Sequence, residues 1–389
     1  MAAQSPRMWV AWLAAGAWHL VPSAAWWDNG HMLAAQIARL ELRPGDEGVI
    51  DEVLSDWERD FPGMSDLVTT APWADHIKCQ TPGPDCVGFL PGLEAFSAWH
   101  FRDTAYNPDK MKLSAAQEHP AQNPSAVFAL EQAMITFSSS RSRFAYNLML
   151  RFLIHIVADL HQPLHDAQGF FDDDSQFGTL RSGDRGGNLI TIRVPGEPLV
   201  KNLHSFWDSA GGLYTQWWPL SPEGEAGLLS NATELMKAYP RQTLREYSRN
   251  DASACQGVLQ GENLTRCTGI FKRWSKEAHD LAVSVAYKNV SSNAQPSAQY
   301  ISEVQLVSRQ QLALAGYRLA DLLEVVVADI GVNLGLKPEG WRDEAKIAGE
   351  DVGSVLLGFC LVVCCVGCLR KHSLRVQKRK QQRLLESNV

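Results

Sequence analysis

Residues 144–165, FAYNLMLRFLIHIVADLHQPLH, constrain the fold more than any other stretch of the chain. Apolar side chains recur on one stripe at 3.6 residues per turn, which predicts a helix with a buried face. His155 and Asp159 stand four residues apart and share one side of that helix. Pro163 lacks a backbone N–H and ends the helix, so His165 projects from the turn beyond it. Three side chains of zinc-binding types therefore converge, although histidine and aspartate can equally be hydrogen-bonded core residues.

The N-terminal end of the chain predicts export. Residues 1–25 contain one charge, Arg7, followed by an apolar run and by the small residues Ser23-Ala24-Ala25. This order is typical of a secretory signal peptide, with cleavage after the last alanine. We therefore expect the mature protein to begin at Trp26.

The C-terminal end predicts a single membrane span. Residues 352–369 are uncharged and have about the minimum length of a transmembrane helix, whereas a buried core helix would show a polar face. Residues 331–351 read as a polar juxtamembrane linker, and the basic tail, residues 370–389, should stay in the cytosol. The predicted location is the cell surface with the N-terminal domain outside, and an endomembrane lumen is the alternative.

Residues 26–330 are long enough for one large domain with a substantial core. Helical periodicity dominates, and strand-like alternation is scarce apart from Asn188–Val194, which is predicted to form a short hairpin or edge strand. The sequence thus predicts an all-α fold with long loops at 57–112 and 166–200. The predicted helices are 30–42, 46–56, 113–136, 144–162, 203–217, 225–238, 268–288 and 300–328.

The charge of the exported part argues against a basic nucleic-acid groove. Outside the predicted signal peptide and tail, the chain has 28 basic and 42 acidic residues, a net charge of about −14. A protein that holds nucleic acid through phosphates alone needs clustered lysines and arginines. An anionic substrate would therefore have to be attracted largely by bound cations.

Cysteines and glycosylation motifs agree with export. The four exported cysteines allow three disulfide pairings, and closeness in sequence favours Cys79–Cys86 and Cys255–Cys267. Asn-X-Ser/Thr acceptor sites for glycosylation occur at Asn231, Asn263 and Asn289.

Two short motifs upstream of the central helix add candidate ligands. Trp26, as a first residue, would offer its α-amino and carbonyl groups to a metal in a five-membered ring, and His31 follows five residues later. Asp75 precedes Lys78 by three residues; a carboxylate can bind zinc, and a lysine can reach a phosphate oxygen on the metal. The alternative for this second pair is a simple surface ion pair.

Two further motifs add candidate ligands and a candidate base-binding site. His100 can bind a metal, Phe101 offers an aromatic face on which a base can stack, and Asp103 can accept hydrogen bonds from a base edge. Phe101 could equally belong to the core. His204 and Asp208 repeat the spacing of four residues that the central helix shows.

These motifs resemble one known family. The chain contains two HxxxD pairs, an HQPLH turn and the tripeptides WAD and WHF. The order of these motifs resembles that of the extracellular zinc-dependent single-strand nucleases of fungi and plants, the class I nucleases. With a membrane anchor, the chain resembles the 3′-nucleotidase/nuclease of trypanosomatid cell surfaces. The resemblance covers about residues 26–328. It implies an all-helical domain with three zinc ions in one cleft, a fold similar to that of phospholipase C.

The resemblance also implies a role for each candidate residue. The first zinc ion would be bound by Asp75, His100, His155 and Asp159. The second would be bound by His165, His204 and Asp208. The third would be bound by Trp26, His31 and the shared Asp159. The implied catalytic residues are Asp75, Lys78 and Asp159, and the implied substrate-binding residues are Lys78, Phe101 and Asp103. Lys78 stands where an arginine is common in the family, so the charge is kept and two-pronged phosphate contact is lost.

The implied reaction is hydrolysis of phosphate esters. Zinc ions bridged by Asp159 would activate a hydroxide that attacks phosphorus in line, while Lys78 neutralises charge on the phosphoryl oxygens. Single-stranded RNA and DNA would give 5′-nucleotides, and 3′-nucleotides would lose their phosphate. Stacking on Phe101 needs an unstacked base, which favours single strands over duplexes. The sequence indicates no obligate protein partner.

Two other functions are alternatives. A phospholipase C would use a similar fold and a similar zinc set, but Phe101 and Asp103 favour a base over a lipid head group. A non-catalytic surface receptor or metal-storage protein could retain the same scaffold, and the presence of Lys78 beside an intact ligand set argues against it.

Overall fold

The computed structural model describes residues 26–78, 93–119 and 124–336, which are mostly helical and belong to one compact unit. The predicted signal peptide, Cys79 and Cys86, the predicted span and the tail lie outside these residues. Among the described residues, no helix combines the length and the apolar character that crossing a bilayer requires. The prediction of a largely α-helical domain is confirmed.

The helices are joined by connections of very different length, the longest described one covering residues 170–202. The α-helices are α1 (Asp28–Glu41), α2 (Asp46–Leu54), α3 (Trp73–His76), α4 (Ala115–Glu118), α5 (Ala126–Ser139), α6 (Arg143–Asp159), α7 (Leu203–Asp208), α8 (Pro222–Ala238), α9 (Asn250–Leu259), α10 (Thr265–Leu281) and α11 (Ala298–Leu334). Single 3-10 turns or short 3-10 helices occur at Ser55–Trp57, Glu94–His100, Pro163–Asp166 and Arg241–Thr243, and a π-helical segment spans Ala282–Ala286. A two-stranded parallel sheet joins β1 (Thr104–Tyr106) to β2 (Ala167–Gly169).

Helix α11 is the long central element against which α1 packs. The two helices approach closely at Gly316, where an added Cβ would lie 2.5 Å from Ile37 Cγ2 and 2.9 Å from the Ala34 carbonyl oxygen. Close contact of two helices needs a small residue at the crossing point, because any side chain there would separate the axes. This packing fixes the position of α1, whose first turn carries His31.

Helix α6 is the predicted central helix. Its N-terminus is capped by Ser142, whose side chain accepts a hydrogen bond from the Ala145 N–H, and Pro163 begins the 3-10 turn that follows the helix. Nearly the whole helix from Tyr146 onward is buried, including His155 and Asp159. Phe144, which the periodicity assigns to the buried stripe, is instead 64% exposed.

Several predicted elements differ from the structure. The predicted helix 113–136 is replaced by α4 and α5, with residues 120–123 outside the description. The predicted helix 203–217 stops at Asp208, because Ala210 and Gly211 have positive φ angles of 52° and 66°, which no α-helix allows.

The strands also differ from the prediction. Asn188–Val194 contributes only a single bridge, between Thr191 and Asn202. The parallel pair β1 and β2 was not predicted, because each strand is three residues long and too short to show an alternating pattern.

The boundary predicted after residue 330 falls inside α11, which continues to Leu334 and ends at Gly335 in the left-handed conformation. Residues 331–334 therefore belong to the helix and not to a linker. One predicted disulfide is confirmed: Cys255 in α9 is bonded to Cys267 in α10.

Candidate metal centre

Most of the predicted ligands form one buried cluster. Three groups of side chains each offer ligand atoms within 4.8 Å of one another, and they come from α1, α3, α6, α7 and the 3-10 segments Glu94–His100 and Pro163–Asp166. The groups are His31, His155 and Asp159; Asp75, His100 and His155; and His165, His204 and Asp208. All of these residues except Asp75 are classed as fully buried, and the Asp75 side chain is only 7% exposed.

Asp159 stands between the first two groups. Its Oδ1 atom lies 3.4 Å from His31 Nε2, and its Oδ2 atom lies 2.9 Å from His100 Nδ1 and 3.2 Å from His155 Nε2. The rings of His31 and His155 are stacked with their centroids 3.8 Å apart. One carboxylate can thus serve two metal ions, each from a different oxygen.

The third group combines the last residue of the HQPLH turn with two residues of helix α7. His165 and His204 stack with ring centroids 5.0 Å apart, and His204 Nε2 lies 3.5 Å from Asp208 Oδ2. His204 and Asp208 share one face of the short helix α7, as their spacing predicts. The Phe101 ring lies 4.6 Å from the His165 ring and therefore borders this group.

Backbone carbonyl groups orient three of the histidines. The Nδ1 atoms of His155, His165 and His204 each lie 2.7 Å from a carbonyl oxygen, of Ala71, His100 and Gly186 respectively. An Nδ1–H that donates to a carbonyl leaves the Nε2 lone pair for a metal. His100 differs, because its Nδ1 atom is the one that faces Asp159.

Burial controls the protonation of these groups. Desolvation holds the pKa values of His31, His100 and His165 well below the ordinary value and lowers the pKa of His204 to about 4. The corresponding imidazoles are neutral at pH 7, the form that binds metals. The pKa of His155 is raised, because Asp159 and Asp75 outweigh the effect of its burial.

Two of the buried carboxylates, Asp159 and Asp208, lack a sufficient positive partner within the protein. Desolvation raises the pKa of Asp159 to about 6, against the opposing effect of His155, and raises the pKa of Asp208 well above its ordinary value. Buried anions of this kind are costly unless a cation compensates them.

The donor set fits zinc. In the part of the chain that the structure describes, buried atoms without a hydrogen-bond partner include His165 Nε2, His204 Nε2 and Asp159 Oδ1, all of which point into the cluster. Imidazole nitrogen and carboxylate oxygen are typical zinc ligands, and both kinds are present in each group. The residues present therefore fit metal ions at this place.

Trp26 lies next to the cluster and is fully buried. Its indole N–H donates to the Ala158 carbonyl at 2.9 Å, one residue before Asp159, and its Cβ contacts Gly30, where an added Cβ would lie 2.8 Å away. The N–H of Trp27 donates to the Asp208 carbonyl at 3.0 Å. The main chain at Trp26 is thus held beside two of the ligand groups.

Lys78 and Phe101 border the ligand groups, and Asp103 lies two residues after Phe101. Lys78 is 2% exposed, and its Nζ atom lies 2.5 Å from Asp75 Oδ1. Phe101 is half-buried and Asp103 is exposed, yet the surrounding protein desolvates the Asp103 carboxyl and raises its pKa.

Sequence reasoning missed two polar residues of this region. Gln162 donates to Asp208 Oδ1 at 2.6 Å and so orients this carboxylate; the HQPLH motif contains it, but its partner could not be known before folding. Asp184 is completely buried, whereas the surrounding loop reads as polar and solvated. The five glycines at positions 169–187 were the available sign of a tightly built segment.

Comparison with known proteins establishes the family. The family profile described as S1/P1 Nuclease matches residues 26–328. The chain belongs to the S1/P1 nuclease family. Nuclease S1 of Aspergillus oryzae is 26% identical over 314 residues, which make up 78% of this chain and 92% of that protein. Endonuclease 3 of Arabidopsis thaliana is 26% identical over 326 residues, with 82% and 95% covered. Nuclease P1 of Penicillium citrinum is 24% identical over 308 residues, with 77% and 97% covered.

Membership of the S1/P1 nuclease family identifies this protein as a hydrolase that acts on phosphate ester bonds. The family is zinc-dependent, and the histidine and aspartate groups of this family member could hold metal ions. The resemblance to the zinc-dependent single-strand nucleases, stated from the sequence motifs, is confirmed.

Proposed function

We propose that the protein is a phosphoesterase with three zinc ions that cleaves single-stranded RNA and DNA to 5′-nucleotides and removes the phosphate of 3′-nucleotides. The observation that carries this proposal is the single buried cluster in which Asp159 joins two ligand groups and a third group lies beside Phe101. The proposed ligands are Asp75, His100, His155 and Asp159; His165, His204 and Asp208; and Trp26, His31 and Asp159.

Bound zinc and the residues around the cluster would have different roles in the reaction. Bound zinc would polarise the phosphate oxygens and activate water for attack on phosphorus. Lys78, held by Asp75 at 2.5 Å, would neutralise negative charge that develops on the phosphoryl group. Asp75 therefore has two roles, as a ligand and as the group that orients the lysine.

Phe101 and Asp103 support a nucleobase as the recognised part of the substrate. The Phe101 ring borders the third ligand group, and Asp103 is the exposed acceptor two residues further on. A base can stack on such a ring only when it has left its own helix. We therefore expect single strands to be cleaved much faster than duplexes.

One experiment tests the proposed function directly. The purified protein, incubated with 3′-AMP and separately with single-stranded DNA, should release phosphate and 5′-nucleotides, and a zinc chelator should stop both reactions. Duplex DNA of the same sequence is the matched control and should be a poor substrate. Hydrolysis of lecithin without cleavage of DNA would instead identify a phospholipase C. Zinc binding without any phosphate release would identify a non-catalytic protein.

We also propose that the domain acts outside the cell, attached to the membrane by residues 352–369. The Cys255–Cys267 disulfide and the exposed acceptor sites at Asn263 and Asn289 support an oxidising, secretory route. Asn231 lies on α8 and is partly exposed. Treatment of the cell-derived protein with an N-glycosidase should lower its apparent mass, and protease added to intact cells should remove the nuclease activity.

A further inference from the structure

Asp184 is a buried carboxylate that belongs to none of the three ligand groups. It lies in the segment between β2 and α7, where Gly183, Gly186 and Gly187 all have positive φ angles. Glycine adopts these angles without strain, so the chain can fold tightly around a single side chain. A buried carboxylate in a turn of this kind needs several donors to balance its loss of water.

Two groups from separate parts of the chain donate to Asp184. The Gly169 N–H lies 2.8 Å from its Oδ1 atom, and the Tyr287 hydroxyl donates to its Oδ2 atom, also at 2.8 Å. The nearby backbone N–H groups of Gly186 and Gly187 also favour the ionised form of the carboxyl. Each carboxylate oxygen thus accepts a hydrogen bond from a different segment of the chain.

The turn that follows Asp184 and the donor Gly169 both lie beside the group formed by His165, His204 and Asp208. Gly186 accepts the hydrogen bond of His204 Nδ1 through its carbonyl oxygen at 2.7 Å. An added Cβ at Gly186 would lie 2.5 Å from the Leu164 carbonyl oxygen and 3.3 Å from His204 Nδ1, so the turn is already in close contact with both. Gly169 ends β2, the strand that begins two residues after His165.

The second donor, Tyr287, contacts the strand that follows the proposed base-binding residues. The Tyr287 ring stacks on the Tyr106 ring, with centroids 5.0 Å apart and an interplanar angle of 22°. Tyr106 ends β1, which begins directly after Asp103 and pairs with β2. Asp184 thus connects the metal-ligand side and the base side of the cleft through hydrogen bonds and one ring contact.

We propose that Asp184 is a positioning residue that fixes His165 and His204 for the metal and, through Tyr287 and Tyr106, fixes β1 for the base. The proposal rests on the proposed function, since it takes the two histidines as zinc ligands. An asparagine could not replace the carboxylate. The amide side chain has only one acceptor oxygen, and the NH2 group of the amide would face an N–H or O–H donor.

Replacement of Asp184 by asparagine in the full chain tests this assignment. We expect the zinc affinity of one of the three sites to fall about 10- to 100-fold, which is typical when the partner that orients a ligand is lost. Competition between zinc and a chelator measures this affinity without any assay of activity. The KM for 3′-AMP should rise as well, because the base side loses its support.

Asp251→Asn is the matched control. Asp251 is also a buried carboxylate and accepts hydrogen bonds from Arg273 and from the Trp274 indole at 2.9 Å, but it lies on α9 and contacts none of the ligand groups. Its loss should lower the melting temperature and leave all three zinc affinities unchanged. A fall in zinc affinity as large as in Asp184→Asn would mean that general destabilisation is the cause, and would overturn the proposal.

Tyr287→Phe is a second variant that keeps the turn and the ring stacked on Tyr106 but removes the hydrogen bond that joins this ring to Asp184. It should bind three zinc ions with affinities within about twofold of the wild type and should have a raised KM for 3′-AMP. If Asp184→Asn does not fold, an unchanged KM in Tyr287→Phe overturns the proposal on its own.

The zinc content and the activity of the wild-type protein distinguish a failure of the proposed function from a failure of the positioning role of Asp184. Fewer than three zinc ions in the wild type, or no release of phosphate from 3′-AMP, would refute the proposed function. Three zinc ions in the wild type, together with wild-type zinc affinities in a folded Asp184→Asn variant, would refute only the positioning role of Asp184.

Discussion

Asp159 directs its two carboxylate oxygens to different ligand groups, with Oδ1 toward His31 and Oδ2 toward His100 and His155. Replacement by alanine removes a ligand from two proposed zinc ions at once. We expect zinc content to fall and turnover of 3′-AMP to drop at least 100-fold, the scale reported for loss of one preorganised electrostatic group.

The same substitution at an exposed acid is the control for Asp159→Ala. Asp172 lies at the surface beside Arg181, away from the ligand groups, and Asp172→Ala should keep zinc content and turnover. Near-normal turnover with three zinc ions in the Asp159 variant would rule out a shared carboxylate.

Trp26 is a proposed ligand whose function depends on a free α-amino group. As a proposed ligand through its α-amino group, it must be the first residue, since an amide nitrogen in mid-chain has no free lone pair for a metal. A protein with one extra alanine before Trp26 should bind two zinc ions instead of three and lose most of its activity. Three zinc ions measured by mass spectrometry of the native extended protein would contradict this assignment.

At the scale of helices, the contact between α1 and α11 determines where His31 lies. Gly316→Ala would place a Cβ 2.5 Å from Ile37 Cγ2, so the helices must separate. We expect the free energy of unfolding to fall by about 1–3 kcal/mol, as for other overpacked cores. Urea denaturation of the metal-free protein measures this change, and zinc affinity should also weaken because α1 moves.

Gly269 provides the matched control for Gly316. It lies on the exposed side of α10, where an added Cβ would meet nothing within 4 Å. Gly269→Ala should therefore raise the free energy of unfolding by about 0.5–1 kcal/mol through the higher helix propensity of alanine. Destabilisation by both substitutions would show that close packing is not the cause.

For the whole molecule, we expect the buried cluster to make the free energy of unfolding depend on bound metal. Without metal, the buried histidines and carboxylates of the cluster contribute little favourable electrostatic energy to folding. A metal that binds only the folded state stabilises that state by mass action. A chelator should lower the melting temperature, and readdition of zinc should restore it. Calorimetry of the full chain with and without chelator checks this, and an unchanged melting temperature would contradict tight binding.

The net charge of the whole chain, −7, predicts an unusual response to salt. Proteins that hold nucleic acid through many lysines lose affinity steeply as salt rises. Here long-range repulsion opposes the approach of an anionic strand, and salt screens it. The kcat/KM for a single-stranded oligonucleotide should therefore stay level or rise between low and physiological salt, whereas a steep fall would reveal a basic binding surface.

The sequence predicted best where a feature depends on residues close together in the chain. The four-residue spacings in α6 and α7, and the turn made by Pro163, determine which side chains share a face before any tertiary contact forms. The predictions from sequence fail where a feature does not follow from a local pattern of residues. Helix α7 ends early at Ala210 and Gly211, and β1 and β2 are too short to be seen without their partner.

The sequence by itself determined the residue types, the two HxxxD helices, the family and the set of candidate ligands. Only the tertiary structure decided that these ligands, from segments far apart in the chain, meet in one buried cluster, which carbonyl groups orient the histidines, and that Asp184 is enclosed by a glycine turn. The physical reason is that a helical face is fixed by local geometry, whereas the partner of a hydrogen bond between distant residues is fixed only when the core packs.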